Sequence, residues 1–241
     1  MKIVVVSLLR SLDRREQIEA NLARLGVNFE FFNAIDASRG EHIGISRFDE
    51  AAALRDLHRP LSPGEIGCFA SHYLLWQNCV KVRTPFVIIE DDAEVSEGFT
   101  RALKVARELL PNCPLIRLGL TAEAANSQTL VSLPQGFEFV SLGRGTFGTQ
   151  CYMVSPRGAE MLMEHAEVWS LPVDMYLDRS YMHGLRSFGL RPYFVKHADP
   201  SLYPSVIGDE RYRLWPPDPM IKVRAMLEGF LAKRGRKLKP A

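Results

Sequence analysis

The chain has 241 residues, of which 46% are hydrophobic and 24% are charged, and its formal net charge at pH 7 is +2. Such a chain can bury the core of one folded domain, or of one domain with a small appendage, and its composition argues against general disorder. The nearly neutral charge argues against a protein that neutralises nucleic-acid phosphates, so we expect no nucleic-acid partner. The first apolar run is too short for a signal peptide and no run reaches transmembrane length, so we expect no membrane span.

Cysteine usage favours a reducing compartment. The four cysteines lack the spacing of a paired metal-ligand motif and the density of a secreted disulfide scaffold. They are Cys68, Cys79, Cys113 and Cys151. We therefore predict reduced thiols and a cytoplasmic protein.

The beginning of the chain predicts a βαβ unit. Residues 3–6 form a continuous apolar run, which is typical of a strand buried on both faces of a parallel or mixed sheet. Ile18, Leu22 and Leu25 follow at helical spacing. A second strand then ends at Asp36, so the loops of this unit gather at the sheet edge where ligands bind.

A second helix is predicted after residues 38–59, a stretch without clear periodicity that we interpret as an insertion or short helices over the site. Ser62 can cap the helix, Pro63 fits its first turn and Glu65 can return a hydrogen bond to the cap. Its apolar stripe is Ile66, Phe69, Ala70, Tyr73, Trp76 and Val80. Between stripe positions lies His72, which is either a hydrogen-bond donor facing the site or a structural histidine.

The most informative segment is an apolar run, residues 84–89, that ends in the carboxylates Glu90, Asp91 and Asp92. Like charges at the end of a buried strand repel each other unless a cation lies between them, and Mg²⁺ or Mn²⁺ prefers oxygen ligands together with substrate phosphates. Strand alternation would bring Glu90 and Asp92 together, whereas an earlier strand end would bring Asp91 and Asp92 together. The alternative is a polar strand exit whose acids cap the next segment.

Beyond the acids, hydrophobic patterning predicts further elements. They are a helix at 103–110, a strand at 115–119, a flexible loop at 121–130, a strand at 151–154 and a helix that starts after Ser155. A short helix within residues 172–178 would place Asp174 at its cap and Asp178 one turn later on the same face. Two more carboxylates therefore become available to a site.

Small residues dominate the segment 142–149, just before one predicted strand. Glycines there permit close approach of the backbone to a ligand. Gly148 and Thr149 therefore contact a sugar in one interpretation and form a simple hairpin bend in the other. Because no helix follows directly, this segment is not a dinucleotide-binding fingerprint.

Four blocks of the chain carry a family resemblance. They are Ser7-Leu8-x-Arg10-Ser11-x-Asp13-Arg14-Arg15, the sequence LSPGEIGCxxSH at 61–72, the triplet Glu90-Asp91-Asp92, and Gly148-Thr149-x-x-Tyr152-x-Val154-Ser155-x-x-Gly158-Ala159. Together they resemble glycosyltransferase family 25, which includes bacterial lipooligosaccharide galactosyltransferases and collagen galactosyltransferases. The blocks occur in the expected order over residues 2–204, and their agreement is more specific than one acidic triplet.

The resemblance implies a GT-A-like, Rossmann-like α/β fold in which a mixed sheet is flanked by helices. It also implies inverting transfer of a hexose, most simply galactose, from a UDP-sugar to a lipooligosaccharide or other glycan acceptor, with Mn²⁺ or Mg²⁺ bridging the diphosphate. We expect residues 1–215 to form this domain and residues 216–241 to form an amphipathic basic tail. Such a tail suits peripheral contact with the anionic inner face of the cytoplasmic membrane, or is a solvated helix with a disordered end.

The resemblance also implies roles for individual residues. Asp92 is expected to bind the metal directly and Glu90 through water, with His197 or Asp199 as a late ligand. Arg14 and Arg15 either contact the donor or pair in solvent with Glu16 and Glu19. The expected donor-binding residues are Ser7, Leu8, Arg10, Arg14, Arg15, Asp36, Ser71, His72, Asp91, Gly148 and Thr149.

Inverting transfer needs a base that deprotonates the acceptor hydroxyl, and Asp174 is the candidate, with Asp178 and Glu123 as substitutes. Three other classes of protein remain open on the sequence. A metal-dependent phosphohydrolase would also use clustered acids. A non-catalytic nucleotide- or glycan-binding module would bind UDP without turnover, and a glycosidase would use Glu90 and Asp174 as its two carboxylates without any nucleotide.

Overall fold

A mixed β-sheet organises the fold in the computed structural model, which describes residues 1–41 and 45–198. The strands of this described part are β1 (Lys2–Ser7), β2 (Glu30–Asn33), β3 (Phe86–Glu90), β4 (Ala93–Val95), β5 (Leu115–Gly119), β6 (Gln128–Leu133), β7 (Phe137–Ser141), β8 (Cys151–Val154), β9 (Phe188–Arg191) and β10 (Val195–His197). Their main order across the sheet is β2-β1-β3-β8-β5-β9-β7-β6, and β10 joins β4 to β5. The sheet is parallel from β2 to β3 and antiparallel where β8 meets β3 and β5.

Helices cover both faces of this sheet. They are α1 (Leu12–Arg24), α2 (Glu50–Leu57), α3 (Pro63–Val82), α4 (Phe99–Leu109), α5 (Pro156–Glu164), α6 (Val173–Asp178) and α7 (Ser180–His183). One core cluster packs α3, α5 and α6 on the sheet, and a second packs α1 and α4 on the opposite face. This arrangement confirms the predicted α/β architecture of a mixed sheet flanked by helices. Among the described helices, none is both long and apolar enough to cross a membrane.

Parallel pairing of β1 with β2 and β3 brings three strand ends to one edge of the sheet. Val6 of β1 pairs with Glu90 of β3, and Ser7 pairs with Asn33 of β2. The side chains of β3 alternate between the two core clusters, as a strand buried on both faces requires. The loops that follow these strands therefore meet at this edge, as the sequence predicts.

The start of α3 matches its sequence signature. The Ser62 hydroxyl accepts the Glu65 N–H, and the Glu65 carboxylate accepts the Ser62 N–H in return. The same carboxylate accepts two hydrogen bonds of 2.7 Å from the Arg59 guanidinium, and both side chains are buried. Gly67 then lets the helix approach the loop after β2, because a Cβ there would lie 2.4 Å from the carbonyl oxygen of Ile35.

The structure corrects several predicted element bounds. The predicted loop at 121–130 gives way to β6, which starts at Gln128 and pairs with β7 although its side chains are exposed. Helix α4 starts at Phe99, where Gly98 with a positive φ serves as its cap. Asp174 is the second residue of α6 rather than its cap, because Pro172 occupies the cap position. The predicted tail, 216–241, lies outside the described residues.

The buried ion pair at the start of α3 generates a stability prediction. Arg59→Met should lower the free energy of unfolding by about 3–5 kcal/mol, because it leaves the Glu65 carboxylate buried without its bidentate partner. Urea denaturation would measure the change. As the control, Lys2→Met removes the exposed pair with Glu30 and should cost at most about 1 kcal/mol. Equal losses of unfolding free energy in both variants would contradict the stabilising role of the buried ion pair.

A second prediction concerns pH. Burial lowers the pKa of His183 to about 4, and the neutral ring donates from Nε2 to the Tyr176 carbonyl while Nδ1 accepts the Leu185 N–H. In the unfolded chain this histidine binds its proton near pH 6.5. The contribution of neutral His183 to the free energy of unfolding is therefore fully present above that pH, and about 3 kcal/mol of it is lost as the pH falls toward 4. His183→Gln should flatten this part of the unfolding free energy measured against pH. The exposed His165 contributes less than burial does to the lowered pKa of His183, so His165→Gln should leave most of the slope in place.

Candidate active site

A cleft of about 460 Å³ opens where β1, β2 and β3 end. Of the residues that the sequence assigns to the site, it is lined by Ser7, Leu8, Arg10, Arg14, Asp36, Ser71, His72, Glu90, Asp91 and Asp92. Apart from Asp36, which follows β2, these residues come from the first two blocks of the sequence and from the acidic triplet. The remaining assigned residues, Arg15, Gly148, Thr149, Asp174 and His197, do not line this cleft.

The Asp91 carboxylate links the turn after β3 to β1 and α1. Strand β3 ends at Glu90, so Asp91 and Asp92 lie in the turn before β4. The Asp91 carboxylate accepts a 2.7 Å hydrogen bond from the Ser7 hydroxyl and a 3.0 Å hydrogen bond from the Arg14 guanidinium. Burial raises the pKa of Asp91 and these two contacts partly offset that effect. Both oxygens of Asp91 are therefore used within the protein.

Asp92 has a different environment. Its Oδ1 is buried and lacks a hydrogen-bond partner within the described residues, and His197 Nδ1 lies 3.6 Å away. Its Oδ2 lies 3.8 Å from the Arg14 guanidinium. Burial raises the pKa of Asp92, but the opposing effects of His197 and Arg14 are larger and leave it lowered. Asp92 is thus an ionised carboxylate whose Oδ1 accepts no hydrogen bond within the described residues and lies beside the imidazole of His197.

Glu90 connects the cleft to the glycine-rich segment. Its Oε1 accepts a 2.5 Å hydrogen bond from the Thr149 hydroxyl and lies 3.7 Å from His72 Nε2. Gly148 precedes Thr149 with φ near +104°, and a Cβ there would lie 2.5 Å from the backbone nitrogen of Thr121. Gly148 therefore fixes a bend that brings Thr149 to Glu90, and Thr149 reaches the cleft only through that carboxylate.

Three arginines, Arg10, Arg14 and Arg15, also lie at this edge of the sheet. Arg10 donates a 2.6 Å hydrogen bond to Asp36, which keeps the pKa of that carboxyl below its usual range. Arg15 donates to the Ser7 carbonyl and to Asn33, so its guanidinium braces β1 against β2. The Arg10 side chain is about one third exposed, whereas Arg14 is largely buried. These two guanidinium groups therefore line the cleft, each beside a carboxylate that lines it too.

Ser71 has a structural role in this arrangement. Its hydroxyl accepts the Ile35 N–H at 2.9 Å and donates to the Gly67 carbonyl at 2.7 Å. It therefore holds the loop after β2 against α3.

The charges of Asp174 and Asp178 act on a buried arginine that the sequence did not indicate. Arg117 of β5 is fully buried, and within the described residues its guanidinium nitrogens lack hydrogen-bond partners. Burial lowers its pKa, while the charges of Asp178, Asp174 and Glu90 oppose that effect. Arg117 therefore links the acids of α6 electrostatically to the end of β3. Its position inside an apolar strand gave no sequence signal.

The two substitutes for Asp174 are engaged elsewhere. Asp178 accepts the backbone N–H groups of Gly145 and Thr146, at 2.9 and 3.2 Å. Glu123 pairs with Arg191, and together with other contacts this outweighs burial and lowers the pKa of Glu123. Asp174 accepts the Met175 N–H through Oδ1 and is partly exposed.

The donor set at Asp92 fits a divalent cation. An ionised carboxylate with one buried, uncommitted oxygen, a nearby imidazole and a second carboxylate two residues earlier are oxygen and nitrogen ligands that Mn²⁺ accepts. His197 donates or accepts at Nε2 with Thr121, and its neighbour Asp199 lies outside the described residues. Asp92 and His197 are therefore the residues that would hold such an ion directly, and Glu90 would act through water.

Comparison with known proteins finds similar sequences over most of the chain. Residues 1–177 match the sequence model of a family described as glycosyltransferase family 25 (LPS biosynthesis protein). A glycosyltransferase 25 family member from Aedes aegypti is 30% identical over 187 residues, which is 73% of this chain and 30% of the relative. The lipooligosaccharide biosynthesis protein lic2B from Haemophilus influenzae is 36% identical over 100 residues, which is 41% of this chain and 36% of the relative.

A third relative carries a different description. The probable inactive glycosyltransferase 25 family member 3 from Rattus norvegicus is 28% identical over 189 residues, which is 73% of this chain and 32% of the relative. The chain thus spans about a third of the length of the curated relatives it matches.

Proposed function

The chain belongs to glycosyltransferase family 25, and from that membership we propose that it transfers a hexose, galactose, from a UDP-sugar to a lipooligosaccharide or other glycan acceptor with inversion and with a divalent metal ion. One observation carries the proposal. The ionised Asp92, whose buried Oδ1 accepts no hydrogen bond within the described residues and lies beside His197, is in a cleft that two guanidinium groups also line. A carboxylate pair with a metal ion, together with arginines, is the chemistry that binds a sugar-linked diphosphate.

Different residues of the cleft would bind different parts of the donor. Arg10 and Arg14 offer N–H groups that suit phosphate oxygens in geometry and charge. Asp36 holds Arg10 in place, and Asp91 holds Arg14. When bound between Asp92, His197 and Glu90, Mn²⁺ or Mg²⁺ would neutralise the diphosphate and so stabilise UDP as a leaving group.

Transfer needs one proton acceptor on the acceptor side of the sugar. The acceptor hydroxyl oxygen forms a bond to the anomeric carbon as the bond from that carbon to the UDP oxygen breaks, and the hydroxyl proton passes to a base. We propose Asp174 as this base. Its carboxylate is partly exposed, and its charge acts on the same buried Arg117 as the charge of Glu90 does. The acceptor would then bind between α6 and the end of β3.

Release of UDP tests the proposed reaction directly. Purified protein would be incubated with a panel of UDP-sugars and a crude lipooligosaccharide acceptor, with Mn²⁺, Mg²⁺ or EDTA. EDTA-sensitive, acceptor-dependent release of UDP from one donor supports the transferase and identifies its sugar. Binding of UDP without turnover of any donor would favour the non-catalytic module, and release of phosphate from simple phosphoesters without an acceptor would favour the phosphohydrolase.

We predict that Asp92→Asn lowers metal-dependent turnover by about 1,000-fold or more while the protein stays folded, because the amide removes the charge that holds the metal. The matched control is Glu94→Gln, an exposed carboxylate two residues away that pairs with Lys196. It should retain full turnover. Wild-type activity in Asp92→Asn would remove the residue from the metal site.

We predict that Asp174→Asn lowers the turnover number by about 100- to 10,000-fold, because the amide cannot accept the hydroxyl proton. Binding of UDP, measured by calorimetry, should remain unchanged since Asp174 lies outside the cleft. Glu164→Gln, an exposed carboxylate at the end of α5, serves as the control. An unchanged turnover number in Asp174→Asn would eliminate this residue as the base.

A further inference from the structure

We propose that Cys68, His72 and Glu90 form a binding site for a divalent transition metal of the zinc type, which has only Glu90 in common with the metal site proposed at Asp92. Cys68 and His72 lie four residues apart on α3, so they share one face of the helix. Glu90 ends β3 opposite that face, and all three residues line the cleft. A metal ion could therefore enter from the cleft.

The distances fit ligation of one ion. The candidate ligand atoms of the three residues all lie within 4.8 Å of one another, and His72 Nε2 lies 3.7 Å from Glu90 Oε1. Tetrahedral zinc with bonds of about 2.0–2.3 Å places its ligand atoms about 3.3–3.6 Å apart. The imidazole and the carboxylate already have nearly this separation. Only a small movement of the Cys68 side chain is needed to complete the set.

The buried ring nitrogen Nε2 of His72 points to a bound ligand. The ring is fully buried, and within the described residues Nε2 has no hydrogen-bond partner. A buried polar nitrogen without a partner is costly, and such groups in native proteins usually meet an ion or a water. The 3.7 Å separation from Glu90 is too long for a hydrogen bond but suits two ligands of one metal.

The other ring nitrogen of His72 is held as a metal ligand requires. Nδ1 lies 2.7 Å from the Tyr152 hydroxyl oxygen, which also accepts a hydrogen bond from the Trp76 indole N–H at 2.9 Å. With Nδ1 as the donor, the lone pair of Nε2 is available toward Cys68 and Glu90. An outer partner of this kind orients a metal-bound histidine and raises its basicity.

The ligand types select the metal. Thiolate and imidazole favour zinc-like ions over Mg²⁺ or Ca²⁺, which prefer oxygen alone. The site at Asp92 has carboxylates and one imidazole but no thiol, and it suits the harder ions instead. Three protein ligands leave a fourth position open toward the cleft, where water would complete the tetrahedron. Glu90 is shared by both sites, so occupation of one is expected to influence the other.

Cobalt provides the probe, because Co²⁺ replaces zinc in such sites and its bond to a thiolate absorbs strongly. Titration of the metal-free protein with Co²⁺ should produce a thiolate-to-cobalt charge-transfer band that saturates at one equivalent and disappears on addition of Zn²⁺. Cys68→Ala should abolish the band. Cys79→Ala, a matched cysteine on the same helix, and Asp92→Asn should both retain it. Tyr152→Phe should weaken binding by about 10- to 100-fold.

Protection from alkylation tests the same site without any substitution. Cys68 is partly exposed, whereas the other three cysteines are buried. Zn²⁺ should protect Cys68 from iodoacetamide in the intact protein, as mass spectrometry would report, and Mg²⁺ should not. A charge-transfer band that survives in Cys68→Ala, or equal alkylation of Cys68 with and without Zn²⁺, would overturn the proposal. Both measurements are independent of transferase activity.

Discussion

Burial of the Asp91 carboxylate is the constraint on which the site depends. A buried charge is tolerated only when it is paired and hydrogen-bonded, and Asp91 obtains both from Ser7 of β1 and Arg14 of α1. These contacts lock the turn after β3 to the first βα unit. They also consume the oxygens of Asp91, which leaves its two neighbours in the sequence to face other partners. Three consecutive acids thereby acquire three separate environments.

The division among these acids explains how one strand end can serve two kinds of chemistry. Asp92 keeps an uncommitted oxygen beside His197 and suits a hard cation, whereas Glu90 lies between Thr149 and His72 and adjoins a thiol. The separation follows from the end of β3 at Glu90, because Asp91 and Asp92 then lie in the turn before β4. A continued strand would have placed Glu90 and Asp92 on one face.

Helix α3 also supports the cleft, and its packing in the core keeps it in place. It is buried along most of its length, with Trp76 and Phe69 packed among the aromatic residues of α6 and of the segment before it. The close approach at Gly67 and the Ser71 hydroxyl hold it against the loop after β2. The polar residues of α3 therefore meet the strand ends at fixed positions. Preorganisation of this kind is what a binding or catalytic site requires.

The sequence by itself determined the βαβ opening, the capped start of α3, the acidic end of β3 and the family, because hydrophobic period, capping chemistry and motif order are local signals. It missed β6, whose exposed side chains lack an alternating pattern, and the buried Arg117, which lies in an otherwise apolar strand. Only the tertiary structure decided which acids are committed and that Cys68, His72 and Glu90 meet. Those outcomes depend on strand register and helix placement, which bring together residues distant in the chain.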